Sequence, residues 1–272
     1  MFGVRQRNRY RDISHRAFSS ISPANISPIC LGRIEKHTRP IAQFPPLEES
    51  PWYVDPPCLP DQIDEELRGN GLRAWGFVIY RCTYQSQAAW DEFICRLLTN
   101  TYETLEEMEA PEILENFALT VIEDSGSLDG ATTTTVRRHF QQWVENAVPD
   151  EHGTSRILKS HRNQYCLQIT QDVLDSVLTP KKNGGVVRLI REVWKEYDPY
   201  DGGERLEDEF EEIEGCTLED VGWIKVPFYD VMFLCWEELA GECWEYEYRR
   251  PPEIACCSFS FRKELACSTT EK

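Results

Sequence analysis

The chain has 272 residues, which allows one large domain or two small ones. Its hydrophobic content of 41% and aromatic content of 11% exclude an intrinsically disordered chain. The formal net charge is −18. Residues 1–40 carry eight Lys and Arg against Asp12 and Glu35, which leaves 21 basic against 45 acidic residues in the remainder. So acidic a body repels phosphate backbones and anionic lipid, which argues against nucleic-acid binding and against a membrane partner. The simplest account of the acidity is solubility and mutual repulsion, with a dedicated basic partner as the rival.

The N-terminus carries Arg5, Arg7, Arg9, Arg11 and Arg16, and Arg16-Ala17-Phe18-Ser19-Ser20 resembles a mitochondrial presequence cleavage site. Pro23 and Pro28 would interrupt a long amphipathic helix there, so an unstructured basic tail is the rival reading. Cytoplasmic residence is expected, with mitochondrial import as the alternative. Residues 1–70 form the first segment, predicted largely irregular because its nine prolines remove backbone donors and favour extended conformations. Trp52, Tyr53 and Val54 are candidates to dock it on the body.

Asn70-Gly71 is a turn signal, and residues 71–240 form the predicted α+β domain. Ala74–Cys82 (AWGFVIYRC) is apolar on both alternating faces, as in a strand covered on both sides. Ser86 can cap the next helix, where Trp90, Phe93, Ile94, Leu97 and Leu98 make one apolar stripe. Phe117–Ile122 is a second strand. After the Asp124–Gly130 loop, the Thr132–Thr135 run can cap a helix that turns Val136, Phe140, Trp143, Val144 and Ala147 inward. Tyr165, Leu167 and Ile169 begin a third strand, followed by a short helix over Asp172–Leu178. The turn Lys181–Gly185 then leads to a strand over Val186–Ile190.

Residues 196–220 hold twelve acids and one fixed cation, Arg205, and read as a solvated insertion. Trp223–Phe228 alternates again, with Pro227 marking an edge or an end, and Val231–Leu239 reads as a last helix. Residues 241–272 form a Cys- and aromatic-rich tail without a readable period. Short strands alternating with helices predict an α+β fold, a sheet of four or five strands backed by helices, with a ferredoxin-like arrangement as the first topology.

Eleven cysteines invite a disulfide reading, but Cys82 and Cys166 lie in predicted strands and Cys95 in a predicted helix. Each has apolar neighbours, as expected of small buried hydrophobes in a reducing compartment. No paired Cys or His spacing predicts a metal site, no glycine-rich strand-to-helix turn predicts a nucleotide, and no nucleophile motif is present. Neither cofactor nor metal is therefore expected. His139 reads as a satisfied structural histidine.

The remaining candidate ligand-binding groups lie where strands end and loops enter helices: Asp124, Asp129, Arg137 and Arg138, with Tyr80 and Arg81 on the first strand. The plainer reading makes Asp129 order its own turn and pairs the arginines with surface carboxylates. Two functional classes stay open. The first is a non-catalytic intracellular interaction protein with a protein partner. The second is a small-molecule-binding or enzymatic accessory protein with an aromatic pocket on the sheet and an unspecified ligand.

Three segments, WGFVIYRCTY with AAWDEF (residues 75–84 and 88–93), LTVIEDSGSLDGATTTTVRRHFQQWV (residues 119–144) and EGCTLEDVGWIKV (residues 214–226), carry a resemblance. In wording and order they resemble a group of proteins from filamentous ascomycete fungi. The resemblance brings no established activity or site residues and implies a fungal source; the second functional class is then expected as an accessory protein of fungal specialised metabolism.

Overall fold

Two helices stand where the proline count predicts irregular backbone: α1 (Pro28–His37) and α2 (Leu59–Asn70). The prolines fall in first turns, where the missing N–H costs nothing. Pro28 opens α1, and the Ser27 side chain caps it by accepting from Cys30 N at 3.2 Å. The computed structural model describes residues 27–45, 59–108, 110–152, 160–179, 184–194, 210–233, 235–236, 239 and 244–255, all within the unit Pro23–Cys257. The arginine-rich start, Trp52–Val54, Lys181–Asn183, most of the acidic insertion, Leu234, Glu237 and Glu238 within Val231–Leu239, and the end of the tail lie outside the described residues.

The AWGFVIYRC run supplies β1 (Val78–Arg81), all four residues buried. Then follow α3 (Gln87–Glu107), β2 (Thr120–Ile122), the short α4 (Ser125–Leu128) and α5 (Thr133–His152). Next come α6 (His161–Gln164), β3 (Tyr165–Ile169), α7 (Gln171–Leu178), β4 (Val186–Arg191) and β5 (Trp223–Pro227). The fold is α+β, with a five-stranded sheet in the order β2-β1-β3-β4-β5. β1 pairs parallel with both β2 and β3, and β3-β4-β5 continue antiparallel. A ferredoxin-like sheet separates β1 from β2 by an antiparallel strand; here they are direct neighbours, because each crossover spends a long helix on a parallel return. The antiparallel half begins at Gly185, whose φ is +89° and whose Cβ position would fall 2.6 Å from Val177 Cα. Only glycine turns the chain so tightly against the end of α7.

The sheet carries helices on both faces. One face takes Phe77, Ile79, Leu167, Ile169 and Leu189 against α2, α3 and α7, and the predicted stripe Trp90, Phe93, Ile94, Leu97 and Leu98 is buried there. The other takes Val78, Tyr80, Cys82, Cys166 and Ile190 against Val136, Phe140 and Val144 of α5. Pro227 closes β5 at the sheet edge, as its missing donor requires. Beyond it the tail docks: Ala255 N donates to Lys225 O at 2.8 Å, and Trp244 is buried with its Nε1 on Asp220 Oδ2 at 2.9 Å.

Cys95 is not a free thiol. It forms a disulfide with Cys30, 65 residues away in sequence, across a Cα–Cα distance of 5.8 Å. Pairing depends on approach through space, which residue spacing does not carry. Cys82 and Cys166 are buried thiols in the sheet, as their apolar neighbours predict.

Candidate functional site

Ligands in sheets of this kind collect at the carboxyl ends of parallel strands, so the ends of β1, β2 and β3 define the place to look. The loop from β2 to α5 must pass over β1 and β3 to reach the opposite face of the sheet. It does so by bonding to both: Gly130 N donates to Cys82 O at 3.1 Å, and Gln168 Nε2 donates to Ala131 O at 2.8 Å. Thr133 Oγ1 donates to Gln168 Oε1 at 3.1 Å, so the fully buried Gln168 amide is held from both ends. Thr83 Oγ1 donates to Gln171 Oε1 at 2.5 Å and ties the end of β1 to the start of α7. The Cys82 thiol beneath is pushed up to about 12 by burial and stays protonated at neutral pH.

The six residues singled out from the sequence are not gathered into one group. Tyr80 and Arg81 are consecutive on β1, so the pleat sends them to opposite faces. Tyr80 is buried toward α5, with its hydroxyl 3.4 Å from His139 Nδ1 and its ionisation pushed up by burial. Arg81, 4% exposed, turns toward α3. It donates to Thr83 O at 3.0 Å, Gln87 Oε1 at 3.0 Å and Glu123 Oε1 at 3.3 Å, and it lies over the rings of Tyr84 and Trp90. Asp124 is exposed and caps α4, accepting from Gly126 N at 3.0 Å and Ser127 Oγ at 2.6 Å. The Ser127 hydroxyl, ahead of the Gly126 amide, holds its carboxyl below the usual range. Asp129 and Arg138 are exposed.

Arg137 reaches into the protein. Its guanidinium donates to Arg191 O at 3.0 Å and Gly222 O at 2.9 Å, beneath the ring of Trp194. Burial lowers its pKa, the direction expected of a cation taken out of water. Gly222, with φ +73°, is obligatory here, since a Cβ would fall 2.5 Å from Arg137 Nη2. Arg137 thus fastens α5 to the β4 and β5 ends, a positioning task rather than ligand capture.

A part-buried polar cluster lies elsewhere. Glu66 of α2 accepts from Trp236 Nε1 at 2.7 Å, from His161 Nδ1 at 2.8 Å and from His161 N at 3.2 Å. His161 packs between the rings of Tyr165 and Trp236, and its Nε2 is buried without a hydrogen-bond partner. Nearby, the fully buried Arg162 donates to Glu151 through two nitrogens and to Gly76 O and Thr120 Oγ1. No sequence signal marks these partners, because Glu66 sits on a helix where irregular backbone is predicted.

Among the described residues no group of three or more His, Cys, Asp or Glu is placed to hold a metal ion, and no helix is long and apolar enough to cross a membrane. The arrangement defines an α+β protein whose strand ends are closed by its own loop. Comparison with known proteins finds no matching family, no matching curated protein and no matching solved structure.

Proposed function

We propose that the chain is a non-catalytic interaction protein whose partner is another protein. The observation that carries this reading is the closure of the parallel strand ends. The Gly130–Cys82, Gln168–Ala131, Thr133–Gln168 and Thr83–Gln171 bonds occupy the polar groups that a bound small molecule would need at that edge. The dispersal of Tyr80, Arg81 and Arg137 into separate packing tasks supports it as well. Exposed Ile29, Val193 and Tyr246 offer apolar contact points on the acidic body.

The Cys30–Cys95 disulfide supports service where thiols are oxidised over a permanently reducing cytoplasm. Native mass spectrometry of the protein purified from its source cells tests the functional reading. A stoichiometric complex with a second protein is the expected result. One small organic molecule retained per chain overturns it in favour of the accessory, ligand-binding alternative.

A further inference from the structure

We propose that the Cys30–Cys95 disulfide is a redox latch: it holds the N-terminal half of α1 on α3, and a dithiol reductant releases that half while the rest of the protein stays folded. The inference stands apart from the functional reading above and fails or holds independently of it.

α1 has ten residues, too few for a helix to persist in water without tertiary support. That support is distributed unevenly along it. At its C-terminal end, His37 Nδ1 donates to Phe117 O at 2.9 Å, and its Nε2 accepts from Tyr102 Oη at 2.7 Å. His37 O accepts from Leu119 N at 2.9 Å, Lys36 Nζ meets Glu115 Oε1 at 2.6 Å, and Ile34 packs against the main core. The N-terminal half is different. Ile29 and Leu31 are 69% and 47% exposed, and the Ser27 cap bonds only within the helix. Arg33, in the middle of α1, lies over the Tyr102 ring at 4.0 Å. Ahead of it, the attachment of the described residues to the body is the sulfur bridge.

Cys30 is buried, whereas Cys95 is part-buried on α3 beside the buried Ile94, so of the two bridge residues Cys95 is the nearer to solvent. The exchange balances. A dithiol gives two electrons and two protons to the S–S bond, leaving thiols on Cys30 and Cys95, and itself closes to a disulfide. The core clusters on both sheet faces do not include Cys30 or Cys95, so reduction subtracts a restraint on α1 without opening the sheet. Such partial release belongs to the low-stability end of local unfolding.

Amide hydrogen exchange of the full chain with and without dithiothreitol tests the latch, with alkylation and mass analysis of the unreduced protein as a control. The expected result is exchange at residues 28–33 accelerated at least about tenfold on reduction, with residues 34–38 and the five strands changed less than about twofold. Cys30→Ser without reductant should reproduce the same pattern. In the oxidised protein His37→Ala should instead loosen residues 34–38. Alkylation of both Cys30 and Cys95 before reduction overturns the proposal. So does unchanged exchange at 28–33, loosening that spreads through the sheet, or a Cys30→Ser protein that exchanges like the oxidised wild type.

Discussion

Glu66 and His161, 95 residues apart in sequence, meet at 2.8 Å between α2 and the start of α6, and the same carboxylate oxygen also takes the indole N–H of Trp236 at 2.7 Å. One side chain thereby ties a helix near the N-terminus, the turn that launches β3 and the segment after β5. A largely shielded acceptor serving several donors costs most when it alone is removed, because the donors stay behind without partners.

Glu66→Ala is therefore expected to destabilise the protein by about 3 kcal/mol, and Glu66→Gln by clearly less, since the amide oxygen can still accept. Urea denaturation of the two variants checks this. Equal losses would show that shape rather than acceptor chemistry matters at this position.

His37 makes stability depend on acid. Burial, ahead of the opposing bond to Phe117 O, lowers its pKa to about 4 from an ordinary 6.5. The folded state keeps the ring neutral while the unfolded chain takes up a proton. The contribution is whole above pH 6.5 and is lost as pH falls from 6.5 toward 4. Stability measured across that window should fall less steeply in His37→Gln than in the wild type; parallel curves would contradict the assignment.

Asp230 works in the opposite sense. Burial raises its carboxyl to about 7 from 3.8, so the folded state holds a proton that the unfolded chain has already released. The group stabilises below pH 4, and that contribution is lost as pH rises through 7. Asp230→Asn should raise the melting temperature at pH 8 and leave it nearly unchanged at pH 4. An equal gain at both values would point to packing instead of ionisation.

Trp90 is 4% exposed, stacks on Phe93 with ring centroids 5.7 Å apart and lies under the Arg81 guanidinium. Trp90→Ala is expected to cost about 3 to 5 kcal/mol, the usual price of deleting a large buried aromatic. A loss below about 1 kcal/mol by chemical denaturation would remove this residue from the core of the α3 face.

The disulfide closes a loop between residues 30 and 95, and restricting a chain of that length in the unfolded state is worth about 4 kcal/mol on the chain-entropy account. The Cys30→Ala, Cys95→Ala double variant should show a denaturation midpoint lowered accordingly, and dithiothreitol should leave that midpoint where it is. A further drop on reduction would mean that another disulfide also contributes.

The sequence by itself determined the elements whose periodicity is strong. Ala74–Cys82 contains β1, the Trp90–Leu98 stripe faces the core, and Val186–Ile190 and Trp223–Phe228 match β4 and β5 closely. Local steric preference and the alternation of apolar side chains decide such matters, and both are written in neighbouring residues. Tertiary structure alone decided the rest. The proline-bearing α1 and α2 gain their stability from packing on α3 and the sheet, which residue counts do not register. Whether Arg137 meets a ligand or the carbonyl of Gly222, whether Cys95 meets Cys30, and whether Glu66 meets His161 depend on contacts tens of residues apart. Hydrogen bonds and sulfur bridges form by proximity in space, and in a mixed sheet ordered β2-β1-β3-β4-β5 that proximity is set by which crossover lies on which face.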